Sequence, residues 1–431
     1  MKASFQIIFI VLFIASAIFG VLVFSGIIKL GGDDASSTGG TVVLWGTIRS
    51  EVMVGALEGF NNNNQNFNVK YVQKSAETFD NDLLEALASG KGPDMYFLPD
   101  NLAYHYANKI GIIPYTSYSL TSFKNNFAGA GEVFLTPTGL LAFPMTIDPL
   151  VMYYNRSTFD SNGIIYPPTT WDEISNDIVP VLTKKNELNK ITKSAVALGH
   201  FSNVNHSKDI LATLFMQAKN PITTLNGGRL RSSLSDLNPK YNLGSVLKFY
   251  TDFADPSHPT YSWNKSFSNS LNTFSSEDLA IYFGFASELK SLVDRNPNQN
   301  FSVAPVPQIK GESVKVTGAR VMGLAISSFS KNFNTAFTAA SLMATGDFAS
   351  KLSLALSVPP ARRDLLAIKP VDSYSPIFYN SALYARSYLD PSSDQTDDIF
   401  RTMIDGVLSN NMTPNDAISD ASSKLDLLLA K

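Results

Sequence analysis

Between Thr41 and Leu98 the chain alternates strand-like and helix-like stretches. Thr41-Val-Val-Leu-Trp45 is a short β-branched run closed by Gly46. Over residues 50–60 Val52, Val54, Leu57 and Phe60 recur at helical spacing, and Asn61 to Asn64 break the run. Phe67 to Val72 alternates as a second strand. In residues 75–89 Phe79, Leu83, Leu84 and Leu87 share one helix face, with Gly90 as C-cap. Asp94 to Leu98 forms a third strand after Gly-Pro. Strand, helix, strand, helix, strand implies right-handed crossovers and a mostly parallel sheet.

The pattern continues. Leu140 to Pro144 and Leu150 to Tyr154 are strand-rich. Thr170 is placed to N-cap a helix, with Glu173 completing a capping box. Apolar spacing predicts helices over 208–218, 244–254 and 276–292, and strands over 301–306 and 321–326. After residue 331 the chain reads mainly as helix, and Pro414 opens the last one. There is no internal repeat. A chain of 431 residues carries more strand–helix units than one sheet readily holds, so two α/β lobes are expected.

The N-terminus reads differently. No residue from Phe5 to Ile28 is charged. As a helix this run would measure about 36 Å, enough to cross a bilayer. It exceeds the apolar region of a cleaved signal peptide, and Ala15-Ser16-Ala17 falls in mid-run. Residues 1–30 are therefore expected to be a signal anchor and 31–40, rich in Gly and Ser, a flexible linker. Lys2 ahead of the run favours a cytoplasmic N-terminus. The expected location is the cell membrane, single-pass, with the folded part extracytoplasmic, or secreted if the segment is cut.

Several chemistries are excluded. There is no cysteine, so no disulfide, thiolate metal site, cysteine nucleophile or lipidated N-terminal cysteine. A net charge of −3 carries no basic excess for nucleic acid. Gly90-Lys91 is followed by Gly92, so no phosphate loop forms there. Ser328-Phe-Ser-Lys331 lacks the partner motifs of a serine acyl-enzyme and reads as a turn. His200 and His206 read as surface residues of a polar loop. No carboxylate pair is singled out by spacing, which leaves a glycosidase open. Nothing calls for a cofactor or a metal.

Ordered motifs then suggest a family. Val43-Leu-Trp45-Gly46 opens the series. Leu84-Glu-Ala-Leu-Ala-Ser-Gly90-Lys-Gly-Pro93-Asp94 and Gly111-Ile-Ile-Pro114-Tyr115 follow. The strongest stretch holds Phe143-Pro-Met-Thr-Ile-Asp148, Met152-Tyr-Tyr-Asn155 and Pro167-Pro-Thr-Thr-Trp171-Asp-Glu173. Later come Trp263-Asn264, Val303-Ala-Pro-Val-Pro307, Pro359-Pro-Ala-Arg362 and Thr413-Pro-Asn-Asp-Ala417. Over residues 41–428 the chain resembles the extracellular solute-binding proteins of ABC importers, in the sugar-binding class that includes maltose-binding protein.

The resemblance implies an α/β, two-lobed, type II periplasmic-binding-protein fold behind an N-terminal transmembrane helix. Lobe 1 would be residues 41–147 plus 317–346, and lobe 2 residues 148–316 plus 347–431. Crossings would fall near Asp148, near Lys315–Arg320 and near Gly346. A monomer would close on a small solute, a sugar in view of the class, and present it to ABC permease subunits. The lipid bilayer would be met through residues 5–28. No enzymatic activity, cofactor, metal or nucleic acid is implied. The same fold also admits ferric ion through Tyr153 or Tyr154, an anion at Arg49 and Arg320, or a sensing role. The implied ligand-binding residues are Arg49, Ser50 and Glu51 after the first strand, and Asp100 and Asn101 after the third. Asp148 and Arg320 lie at crossings, Tyr154 on its strand, Trp263 as a stacking platform. Phe285 stands where many relatives carry tryptophan, and Tyr379 belongs to an aromatic patch of the second lobe. Trp45 and Trp171 are expected in the core, and Asp94 as a structural cap.

Overall fold

The computed structural model describes residues 40–226 and 229–430. The expected anchor and linker lie almost wholly outside them. Among the described residues no helix is long and apolar enough to cross a membrane.

The parallel start of the sheet is β1 (Thr41–Gly46), β2 (Asn68–Gln73) and β3 (Met95–Pro99), with β1 between the other two. They are joined by α1 (Ser50–Asn63) and α2 (Phe79–Ala88). α1 buries Met53, Ala56, Leu57 and Phe60, and α2 buries Phe79, Leu83 and Leu87. Gly90 ends that helix at φ +68, a backbone setting that favours glycine. α3 (Asp100–Tyr106) follows β3 without a loop.

β4 (Ala142–Asn155) fuses the two expected short strands into one of 14 residues. Beyond it come β5 (Lys184–Lys185), β6 (Ile191–Val196), α4 (Ser207–Gln217) and α5 (Leu243–Asp252). β7 (Leu279–Phe285), β8 (Phe301–Pro305) and β9 (Thr317–Ile326) complete the long strands. After β9 the main elements are α6 (Phe333–Thr345), α7 (Asp347–Leu356), α8 (Ser375–Leu383), β10 (Ala385–Arg386), α9 (Ser393–Leu408) and α10 (Pro414–Leu429). The ten-stranded sheet runs β2-β1-β3-β9-β4-β7-β6-β5, with β8 added to β4 and β10 to β9.

Two apolar cores form on this sheet. Phe97, Phe143, Ile147, Leu324 and Met343 belong to the first. Leu150, Met152, Trp171, Phe283 and Phe400 belong to the second. β4 therefore leaves lobe 1 between Ile147 and Leu150. β9 returns beside it, antiparallel, with Arg320 opposite Asp148.

Two expectations change. Apolar spacing predicts a helix over 276–292, yet Leu279–Phe285 is a strand buried along its whole length. A continuous apolar run in a central strand has no polar face, so it mimics a buried helix. The third crossing does not fall at Gly346, which only separates α6 from α7. Phe348, Leu352, Leu366, Ala382 and Ala385 all pack into the lobe 1 core. Fully burying a Phe or Leu contributes about 1.5–3 kcal/mol, so α7 is firmly held there. The chain passes to lobe 2 after Ala385, and Thr396, Ile399 and Phe400 are buried on α9. Residues 347–385 thus pack mainly with lobe 1, and α8 bridges by sending Phe378 into the other core.

Candidate functional site

A cavity of about 700 Å³ opens where β4 and β9 pass between the lobes. Thr146 and Asp148 on β4 line it, as do Arg320 and Met322 on β9. Thr146 and Asp148 are two apart and share a face of β4, whereas β9 lines the cavity with four consecutive residues, Ala319 to Met322. Lobe 1 adds Asp100 and Asn101 at the carboxyl end of β3, where open α/β sheets collect ligands. Lobe 2 adds the first turn of α4, including His206, Lys208 and Asp209. The third crossing adds Ser387 and Tyr388.

Asp148 is oriented by one residue. Its Oδ1 accepts from the Ser287 amide at 2.9 Å and its Oδ2 from the Ser287 hydroxyl at 2.6 Å. Burial nevertheless pushes its carboxyl up to about 6, with the Ser287 bonds and the Arg320 charge opposing. Asp100 is 6% exposed. It accepts from the Ser387 hydroxyl and from the Asn101 amide. Burial pushes it to about 6 as well, against the Ser387 bond and the Arg320 charge.

Arg320 is held in place from three sides. Its guanidinium carbon lies 3.9 Å from the centre of the Phe285 ring. Its Nη2 is 3.3 Å from His206 Nδ1 and 3.4 Å from Asp209 Oδ2. His206 Nε2 lies 2.7 Å from Glu288 Oε1. A neutral imidazole protonated on Nε2 satisfies both contacts. Glu288 Oε2 also accepts from the Tyr282 hydroxyl at 2.9 Å. Burial works to raise the Glu288 carboxyl, but the His206 and Tyr282 bonds and the Arg320 charge bring it below its ordinary value. Lys208 is shared by Asp390 at 3.1 Å and Asp397 at 2.5 Å.

The sequence places the other expected residues less well. Arg49 and Glu51 are exposed at the start of α1, and Ser50 donates to Gln73 Oε1 at 3.0 Å. None of the three is among the residues lining the cavity. Trp263 is fully buried in the lobe 2 core, stacked on Phe267 at 4.7 Å and donating to Asn203 at 3.0 Å. Its indole is consumed by packing and offers no face to a solute. Tyr154 packs on Phe159, and Tyr379 packs against the lobe 1 core, not the second lobe. Phe285 lies beneath Arg320, 1% exposed. The aromatic rings that do line the cavity are Phe201 and Tyr388.

The histidines also differ from expectation. His206 braces Arg320 and is half-buried. His200 is 8% exposed, and burial, with the Lys265 charge, pushes its imidazole down to about 4. Trp171 and Asp94 do behave structurally: Trp171 donates to Gln217 at 2.7 Å, and Asp94 accepts from Val43 and Ser330.

The family model for bacterial extracellular solute-binding proteins matches residues 55–378. The chain belongs to that family. This makes the solute-binding protein a binding protein and not an enzyme, and it points to an extracytoplasmic domain. Solved structures share its two-lobed α/β fold. A cyclo/maltodextrin-binding protein, solved with maltotetraose, aligns with a TM-score of 0.72 at 16% identity, over 92% of this chain and 98% of its own. The sugar-binding protein MalE of Xanthomonas citri gives 0.70 at 17%, over 90% and 97%. The GacH receptor of Streptomyces glaucescens, solved unliganded and with acarbose, gives 0.66 at 17%, over 91% and 99%.

Before the fold is known, the α4 turn of this solute-binding protein is hard to read as functional. Asn205-His206-Ser207-Lys208-Asp209 is polar, like any exposed loop. The one available signal is a polar run at the start of the helix that apolar spacing predicts over 208–218, which marks a helix start and not a cavity.

Proposed function

We propose that the protein is the extracytoplasmic receptor of an ABC importer and binds a carbohydrate or similar polar solute between its lobes. The observation that carries this reading is the placement of Asp148 and Arg320, opposite each other on the two crossing strands and both lining the cavity. Both strands run from one core to the other, so a solute touching both residues would couple binding to hinge closure. Carboxylates, the Asn101 amide and the guanidinium suit hydroxyl groups, which cost about 1–3 kcal/mol each when buried unpaired. Phe201 and Tyr388 offer faces for the apolar side of a sugar ring. The relatives solved with maltotetraose and acarbose support the same class. Closure would present the liganded form to permease subunits, with residues 5–28 tethering a monomeric receptor to the membrane.

A ferric ion is less well served. Tyr153 is buried and donates its hydroxyl to the Phe285 carbonyl at 2.8 Å. Among the described residues no group of three or more His, Cys, Asp or Glu is placed to hold a metal.

The test is a thermal-shift screen of the full-length protein against mono- and oligosaccharides, polyols, amino acids, phosphate and ferric citrate. A solute that binds only the folded state raises Tm by mass action. A shift with a sugar class supports the reading. A shift confined to iron or to phosphate overturns it.

A further inference from the structure

The charges around the cavity do not balance. Asp100, Asp148, Asp209, Asp390 and Asp397 line it, against Lys208 and Arg320. Both cations are committed. Lys208 lies between Asp390 and Asp397, and Arg320 is nearest Asp209. Asp209 also answers the positive end of α4, in whose first turn it stands. Asp100 and Asp148 are left over. Among the described residues, no Lys, Arg or His nitrogen lies within 4 Å of either carboxylate. Their partners are neutral donors from Ser387, Asn101 and Ser287. Asp100 is more than nine-tenths buried and still faces the cavity.

These two carboxylates line one cavity from a single sheet, Asp100 at the end of β3 and Asp148 on the β4 crossing, with β9 running between those strands. Burial raises both groups to about 6 although the Arg320 charge opposes it, as expected of buried carboxylates that lack a direct ion pair. Closing the cleft on a neutral solute would strip more water from them and worsen that deficit. A cation between them would remove it, and opposite charges at a few ångströms attract strongly in such surroundings.

We infer that the solute carries a protonated amine, placed between Asp100 and Asp148, so that the receptor prefers an amino sugar over its neutral or N-acetylated counterpart. This rests on the solute-receptor reading above and narrows it. The ring hydroxyls would still be met by Asn101 and Arg320, and the ring face by Phe201 or Tyr388.

Isothermal titration of the full-length protein at pH 7 tests this with two matched series. One is glucosamine, N-acetylglucosamine and glucose; the other is chitobiose, N,N′-diacetylchitobiose and cellobiose. Each series keeps the skeleton and changes the group on C2. At least one amine is expected to bind tenfold or more tightly than its acetylated and hydroxyl counterparts. In Asp100→Asn and Asp148→Asn that preference is expected to fall by tenfold or more, with circular dichroism confirming the fold. Equal or tighter binding of a neutral member overturns the inference and leaves the receptor reading standing. Failure of both amines overturns it too; a neutral sugar returned by the wider screen then still supports the receptor, whereas a shift with iron or phosphate alone removes both.

Discussion

Replacing Asp148 by Asn is expected to strengthen the fold while weakening the site. Burial pushes the Asp148 carboxyl up from its ordinary 3.8 to about 6. At about 1.36 kcal/mol per pH unit, holding it ionised at pH 7 costs about 3 kcal/mol. Asn keeps the shape and one acceptor. It weakens one of the two Ser287 bonds, a loss of about 1 kcal/mol. The net gain at pH 7 is therefore about 2 kcal/mol.

The pH dependence fixes the sign. A raised carboxyl binds its proton more readily in the folded than in the unfolded state, so wild-type stability rises as pH falls from about 6 towards 3.8. By pH 4 the burial penalty has gone and only the weakened Ser287 bond separates the two proteins. Urea unfolding at pH 7 and pH 4 reads this directly. The variant should be more stable by about 2 kcal/mol at pH 7 and less stable by about 1 kcal/mol at pH 4. At an unfolding entropy of about 2.1 cal/mol/K per residue, the pH 7 gain is about 2 °C in Tm. A variant that is destabilised equally at both pH values would refute the burial argument for this carboxyl.

Three further outcomes follow from the same geometry. Trp263→Ala removes a fully buried indole and should cost about 3–5 kcal/mol in unfolding experiments, while solute affinity of the folded fraction stays within about twofold; a large affinity loss at unchanged stability would return Trp263 to the site. Tyr104 on α3 of lobe 1 donates to the Leu429 carbonyl at the end of α10 in lobe 2, at 3.0 Å. Tyr104→Phe deletes this bond between lobes, worth about 1 kcal/mol, so solute Kd should change about fivefold with the cavity residues intact; an unchanged Kd would show that the bond does not bias closure. Burial, with the Lys265 charge, holds His200 near 4, below its ordinary 6.5, so it stays neutral in the fold and stability is lost as pH falls from about 6.5 to 4. His200→Gln should flatten that limb in pH-dependent unfolding, and an unaltered limb would contradict the burial of His200.

The sequence discloses the first half of lobe 1 because its elements differ in period. β1 and β3 are short apolar runs, whereas α1 and α2 carry apolar residues three and four apart. Residues 279–285 lack that contrast, since a strand buried on both faces shows no alternation. The lobe to which α7 belongs was equally hidden. Phe348 and Leu352 make a helix amphipathic without saying which core receives it. Of the residues that line the cavity, Asp100 and Asn101 were legible from the end of a strand, whereas Asp148 and Arg320 came from crossings that only the family resemblance implied. Trp263 was not, because an indole that stacks on a sugar and one that stacks on Phe267 have the same sequence signature. His206 and Lys208 come to the cavity only through tertiary placement of α4.

Hydrogen exchange of the full-length protein, with and without the sugar that raises its Tm most, addresses the cleft most directly. Slowed exchange is expected on both walls together: residues 99–101 on one side, 204–209 on the other, with the paired crossings at 146–148 and 319–322 between them. Protection confined to one lobe, or falling on surfaces away from these segments, would contradict binding between the lobes.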